Sequence, residues 1–189
     1  MGAGDCPYKE IFDGYQCKYI TCDIDSKADI QLTEGKEVQL PNKYADFIVS
    51  FQVLEHVWDL KWYLKNCHRL LKDEGKLILS THGSWLYHPH PTDYRRWTKE
   101  GLIKELEENE FKVERVIGIV GPLALTTQYI LLGIYYICNK LSILGSLILP
   151  VLSLPLNILM IFQDLITPYE IKDKNSCVYL AICNKEILK

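Results

Sequence analysis

The sequence has no surplus of positive charge: 21 Lys and Arg stand against 24 Asp and Glu, a formal charge of −3. A chain that neutralises a phosphate backbone needs the opposite balance, so no nucleic-acid partner is expected. Paired cysteines are lacking too. The seven present (Cys6, Cys17, Cys22, Cys67, Cys138, Cys177 and Cys183) are odd in number and form no C-x-x-C. That fits neither a disulfide framework nor a zinc ribbon, and points to a reducing cytoplasm. No basic stretch followed by an apolar run opens the chain, so no secretory signal is read there. With 48% hydrophobic and 24% charged residues, disorder, collagen and coiled coil are all excluded. A length of 189 residues allows one domain with a real core, 1–189, rather than two.

Charge itself is missing from one long stretch. From Val116 to Gln163 the only charged residue is Lys140, which divides the run into halves that each approach the length a helix needs to cross ~30 Å of hydrocarbon. Pro150 and Pro155 predict that the second half is not one straight helix. Two readings stand: a helical insertion, 121–168, packed on the domain or on a second copy as a homodimer, or a membrane-associated hairpin. The strand expected at Ser176–Asn184 must rejoin the sheet. Only an even number of crossings, or a helix pair lying in the interface, satisfies this. The scarcity of basic residues argues against a surface helix held by charge.

Elsewhere the pattern is that of an α/β protein. Asp5 and Pro7 mark a loop feeding a helix N-terminus, with Asp5 as its cap. Lys18–Cys22 and Tyr44–Phe51 read as strands, with a short one near Asp29–Leu32 between them. Asp59–Lys72 spaces Leu60, Tyr63, Leu64, Cys67, Leu70 and Leu71 as one helical face, closed by Gly75. Lys76–Thr81 is a strand, Thr98–Glu110 a helix capped by Thr98, and Phe111–Val120 a strand. This cadence predicts a doubly wound, mostly parallel sheet.

Gly2, Ala3 and Gly4 form a small-residue turn opening a helix, and Asp23 follows at the end of the next strand. Glycine lets the backbone pass close to a ligand and a carboxylate accepts both hydroxyls of a ribose, so the pair has the logic of a nucleotide site. Asp23 and Asp25 also spell the D-x-D of metal-dependent glycosyltransferases. Past the strand ending at Phe51, Gln52 and Val53 lie where a parallel sheet leaves its ligand crevice, with simple loop capping as the other reading.

The run IVSFQVLEHVWDLKWYLKNCHRLLKDEGKLILST, Ile48–Thr81, resembles class I S-adenosylmethionine-dependent methyltransferases of the small-molecule branch often called type 11. GAGDCPY resembles their glycine loop, CDID their acidic strand end, and Pro91–Phe111 the segment after their fifth strand. The likeness covers roughly Met1–Val120 and the last strand, and implies a Rossmann-like fold with S-adenosyl-L-methionine as cofactor. Gly2, Ala3, Gly4, Asp23, Ile24, Gln52 and Val53 would hold that cofactor. The family places a first β-strand before the glycine loop, where this chain starts, so an N-terminally incomplete methyltransferase is expected. Cys6 stands where the family often has a third glycine.

The resemblance also turns His56 of LEHV toward the cleft, as a cofactor- or substrate-orienting group or as a structural histidine. The loop from Thr81 to Trp97 concentrates His82, His88, His90, Asp93, Tyr94, Arg95 and Arg96 where substrate loops of such folds fall. Its histidines suit a general base near neutral pH and its arginines an acidic substrate. His56, His90 and Asp93 are the expected catalytic groups, and His88, Tyr94 and Arg96 the expected substrate contacts. The alternative is that Asp93, Arg95 and Arg96 lock the loop. His82, His88, His90 and Asp93 are also a chemically competent metal set, though none is expected. The acceptor would be a small molecule or a lipid-linked or glycan group. A non-catalytic, membrane-associated module keeping the fold is the alternative to an enzyme.

Overall fold

A computed structural model describes residues 1–186. The glycine loop leads into a single-turn helix, α1 (Lys9–Asp13), whose N-cap is Tyr8, with no side-chain bond. Asp5 and Pro7 therefore belong to the turn before it rather than to its cap. Next, β1 (Cys22–Asp23) pairs in parallel with β2 (Ile30–Gln31), so only the end of the predicted Lys18–Cys22 run is strand. After them come β3 (Ala45–Phe51), a 3-10 turn (Leu54–His56), α2 (Leu60–Leu70), β4 (Leu71–His82) and α3 (Lys99–Glu108). The chain ends with β5 (Phe111–Ile119), α4 (Pro122–Lys140), α5 (Ser142–Ile166), α6 (Tyr169–Lys174) and β6 (Val178–Lys185).

Caps fall where the chemistry asks for them. Asp59 accepts from the Trp62 amide to start α2, and Thr98 accepts from the Gly101 amide to start α3. Gly75 does not close α2. The chain turns straight into β4 at Leu71, and Gly75 lies within that strand, where its missing Cβ avoids the Leu71 side chain and the Lys72 backbone.

The main sheet has the order β3-β4-β6-β5. β3 and β4 pair in parallel, and β6 is antiparallel to both its neighbours. The reversal follows from the detour: Ile119, where β5 ends, is registered against Val178, where β6 begins, so α4 to α6 leave and return at the same end of the sheet. Leu60, Tyr63, Leu64, Cys67 and Leu70 of α2, Leu102 and Leu106 of α3, and Leu77 and Leu79 of β4 fill one buried core with Phe111 and Tyr179. Truncating such a leucine costs about 2–5 kcal/mol.

β1 and β2 form a two-stranded sheet of their own, not paired with β3 of the main sheet. The Met1 ammonium donates to the Val49 carbonyl at 2.9 Å and the Gly2 amide to that of Cys22 at 2.7 Å, bridging the two sheets at one end. Along the outer edge of β3, Asp46 and Phe47 are exposed.

α4 and α5 form an antiparallel hairpin that turns at Lys140–Ser142. Gly145 sits so close to the end of α4 that a Cβ there would lie 1.8 Å from the Cys138 carbonyl oxygen. α5 is continuous through Pro150 and Pro155. Prolines are tolerated in apolar helices where neighbours or local adjustments relieve the lost bonds. Of its polar side chains, Ser153, Asn157, Gln163 and Asp164 are half-covered, while Ser142 and Ser146 near its start are exposed. Ile143, Leu147, Val151, Leu154, Ile158 and Phe162 point outward and are exposed. At the root, Gly121 donates to Asp164 Oδ1 at 2.7 Å, Thr127 to Gln163 Oε1 at 2.6 Å, and Lys172 to Asp164 Oδ2 at 2.8 Å.

Candidate active site

The ends of β1, β3 and β4 and the turns that follow them bring most of the singled-out residues to one end of the sheet. Gly2 and Gly4 both have left-handed backbones, φ 71° and 50°. A Cβ on Gly2 would stand 2.3 Å from a methyl of Val53, so the loop and the end of β3 touch only because that residue is glycine. The Gly2 and Ala3 amides both donate to the Cys22 carbonyl, and the Gly4 amide donates to Asp23 Oδ2 at 2.8 Å. Asp23 Oδ1 accepts from the Asp25 amide at 3.1 Å, while Asp25 accepts from Lys27, so both acids of the D-x-D pair shape their own turn. Ile24 is exposed beside them.

Gln52 is the first residue past β3 and has a φ of 54°, a strained setting for a residue with a side chain. Its amide donates to the Ser80 carbonyl and its Nε2 to Ser80 Oγ at 3.0 Å, leaving Oε1 buried without a donor. Fixed backbone at a strand end and an orphaned acceptor facing a crevice fit a polar ligand there.

Beyond Val53 the 3-10 turn carries Glu55 and His56 inward. Glu55 is fully buried, accepts from Thr81 Oγ1 at 2.8 Å, and has its carboxyl pushed up by burial. His82 Nε2 lies 3.4 Å from Glu55 Oε1 and equally near His88 Nε2. Burial, with His88 and Arg96 beside it, pushes His82 down to about 3, so it is neutral and makes no ion pair with Glu55. Its ring stacks on Trp85. His56 engages the Thr92 carbonyl through Nδ1, and its ring lies 5.0 Å from that of His88.

Asp93 is spent on the loop. The Arg96 guanidinium grips both its oxygens, Nη2 at 2.7 Å, and holds the carboxyl well below the usual carboxylate range, helped by the His88 amide at 2.9 Å. Arg96 also donates to the carbonyls of Trp85, Leu86 and Arg95, and Arg95 to those of Val57 and Trp58. These three residues thus lock the loop. Tyr94 is exposed, its ring against Trp58 and its amide on the Glu55 carbonyl. His90 is exposed, and no side-chain bond is found for it among the described residues. The structure therefore groups His56, His82 and His88 and leaves His90 aside. Glu55 escaped the sequence reading because a buried carboxylate looks like any other acid in a string; its place between Leu54 and His56 at a strand end was the one available signal.

A family profile described as a methyltransferase domain matches residues 1–115. A probable S-adenosylmethionine-dependent methyltransferase of Mycolicibacterium smegmatis is 30% identical over 99 residues, 49% of this chain and 38% of that protein. Another, from Mycobacterium tuberculosis, is 38% identical over 55 residues, 29% of this chain and 20% of its own. The chain thus spans well under half the length of these relatives. Among solved structures, a SAM-dependent methyltransferase from Archaeoglobus fulgidus superposes with a TM-score of 0.58 at 16% identity, covering 97% of this chain and 83% of that one. A second, from Mesorhizobium loti, gives 0.56 at 13% identity, covering 97% and 88%. At such identities the structures speak for the fold, which is Rossmann-like α/β. The profile spans more than half of the chain, and on that match the protein belongs to the methyltransferase-domain family.

Proposed function

We propose that this chain is the catalytic fold of an S-adenosylmethionine-dependent methyltransferase whose acceptor is a small molecule or a lipid-linked or glycan group. The observation that carries the reading is the joint between Gly2 and Val53, with Asp23 and the unpaired Gln52 Oε1 beside it. These residues fit the cofactor: a cradle without Cβ, a carboxylate for ribose hydroxyls, and a free acceptor. When bound, S-adenosyl-L-methionine supplies a methyl group on a sulfonium. The protein's work is then to align the acceptor and receive its proton. His56, with Nδ1 engaged by Thr92, keeps Nε2 free for that proton, and His88 lies beside it. Asp93 and Arg96 hold the loop that carries His88.

The hairpin is the membrane-associated part. The exposed face of α5 is largely apolar, while Ser153, Asn157, Gln163 and Asp164 lie on its half-covered side. At 1.5 Å per residue α5 is about 37 Å long, enough to reach across ~30 Å of hydrocarbon. Trp85 of the substrate loop packs near Tyr129 of α4, ring centroids 6.3 Å apart, so an acceptor held in a bilayer would meet the site at the hairpin's root. The catalytic domain sits on the cytoplasmic side, where seven unpaired thiols persist.

A second reading, a non-catalytic module that keeps the fold, is favoured by one observation: β1 and β2 form a sheet separate from the main one. Calorimetry with S-adenosylmethionine and S-adenosylhomocysteine, on the chain in mild detergent, separates the two. Micromolar binding supports the enzyme. A folded chain that binds neither supports the module.

A further inference from the structure

The groups that neither the glycine loop nor the Asp93–Arg96 clamp uses converge on Glu55. One ligand atom from each of Glu55, His56 and His88 lies within 4.8 Å of the other two. Oε2 of Glu55 is taken by Thr81, but Oε1, fully buried, has no hydrogen-bond donor. His82 Nε2 lies 3.4 Å from it, beyond the fully satisfied contact that Thr81 makes with Oε2. Leaving a carboxylate oxygen so placed is costly unless something positive completes it.

The His56 imidazole is oriented from behind. His56 Nδ1 is bonded to the Thr92 carbonyl, which makes it the N–H and leaves the Nε2 lone pair free. His88 Nδ1 is buried without a hydrogen-bond partner, 3.6 Å from the Asp93 carboxylate, and its Nε2 faces His82 at 3.4 Å. An oxygen behind the ring and a lone pair in front is how proteins fix a metal-ligating histidine.

We propose that Glu55, His56 and His88 form a site for a divalent transition-metal ion of the zinc type beside the cofactor crevice. Two imidazole nitrogens and one carboxylate oxygen make a donor set of open zinc sites, whereas Mg²⁺ and Ca²⁺ prefer oxygen throughout. Ligands at about 2.0–2.2 Å from a tetrahedral ion stand about 3.4 Å apart, so the site closes by a shift of about 1 Å. His88 can supply it, because its side chain is 38% exposed on a loop. The same exposure leaves a coordination position open to solvent. With the ion bound, His56 Nε2 would be a ligand rather than the proton acceptor; an acceptor hydroxyl at the open position would be acidified by the ion and would pass its proton to solvent on the exposed side. That role rests on the methyl-transfer reading; the site itself does not.

The test is Zn²⁺ binding by calorimetry to the full chain in mild detergent after chelator treatment, with Co²⁺ absorption to identify the ligands. One equivalent should bind, with a cobalt spectrum free of thiolate charge transfer, and excess Mg²⁺ should not compete. His88→Ala should weaken binding by at least about tenfold, and His90→Ala, two residues along the same loop, should leave it unchanged. Glu55→Gln should weaken it similarly, provided circular dichroism shows an intact fold. No stoichiometric binding, equal binding by His88→Ala, or a thiolate band from cysteine ligands would each overturn the proposal. S-adenosylhomocysteine binding on the same samples reports the cofactor reading separately.

Discussion

The amide N–H of Gly4 donates to Oδ2 of Asp23 at 2.8 Å across 19 residues of sequence, so the glycine loop and the acid at the end of β1 are one unit. Substituting Asp23 removes the loop's anchor and, on the proposed function, the ribose acceptor. Hydrogen bonds to charged groups are worth about 1.5–3 kcal/mol, so Asp23→Ala should weaken S-adenosylhomocysteine binding by roughly 10- to 150-fold. Asp23→Asn keeps one acceptor and should fall between. Calorimetry decides it, and wild-type affinity in Asp23→Ala would remove Asp23 from the cofactor site.

Gly2 tests the fit of the crevice from the other side. Gly2→Ala places a Cβ against the Val53 methyls in a left-handed backbone, so it should lose about 1–3 kcal/mol of stability and most cofactor affinity. Val53→Ala on top of it opens the space and should return part of the stability but not the backbone strain. Thermal melts of the two single variants and the double variant measure this. Additive losses would show that the two residues do not meet.

Beneath the site, Ser50 Oγ and the Tyr63 hydroxyl share a buried hydrogen bond of 2.8 Å that ties β3 to α2. Ser50→Ala or Tyr63→Phe alone strands one hydroxyl in the core and should cost about 1–3 kcal/mol. The double variant should cost less than the sum, since neither partner remains to be satisfied. Denaturant melts of the cycle check the coupling, and strict additivity would refute it.

How much of this was legible in the sequence depends on the range of the interaction. α2 and α3 were readable because apolar spacing, Asp59 and Thr98 are local signals. The glycine loop and Asp23 stood out in the sequence by residue type, and the structure joins them through the Gly4 amide. The shortness of β1 was not, since Lys18–Thr21 carries strand-forming residues whose pairing depends on neighbours far away in sequence. Nor was the reversed direction of β6, which is set by where the hairpin returns the chain. The continuity of α5 through Pro150 and Pro155 was not legible, because whether a helix carries a proline depends on the neighbours that take up the lost bond. Asp93 and Arg96 looked like substrate groups until the structure showed their hydrogen bonds spent on each other and on the loop.

Leu147 and Leu154 lie on the outer arc of α5, 66% and 65% exposed, and they decide what the hairpin touches. A carboxylate at the middle of a membrane-inserted helix costs about 2.5–3.5 kcal/mol, so Leu147→Asp and Leu154→Asp should each cut partition into phospholipid vesicles by roughly 100-fold. Gln163→Ala, at the inward-facing root, should loosen the hairpin by breaking the bond from Thr127 while leaving the apolar face intact, and so should partition nearly as the wild type. Flotation with neutral phosphatidylcholine vesicles suits the measurement, because the hairpin has only Lys140 to answer an anionic surface. A homodimer makes a different forecast. The wild-type chain would sediment as a discrete dimer without lipid or detergent and would ignore the vesicles, and the two aspartate variants would be soluble monomers. That pattern would move the apolar surface from the membrane to a second copy of the chain.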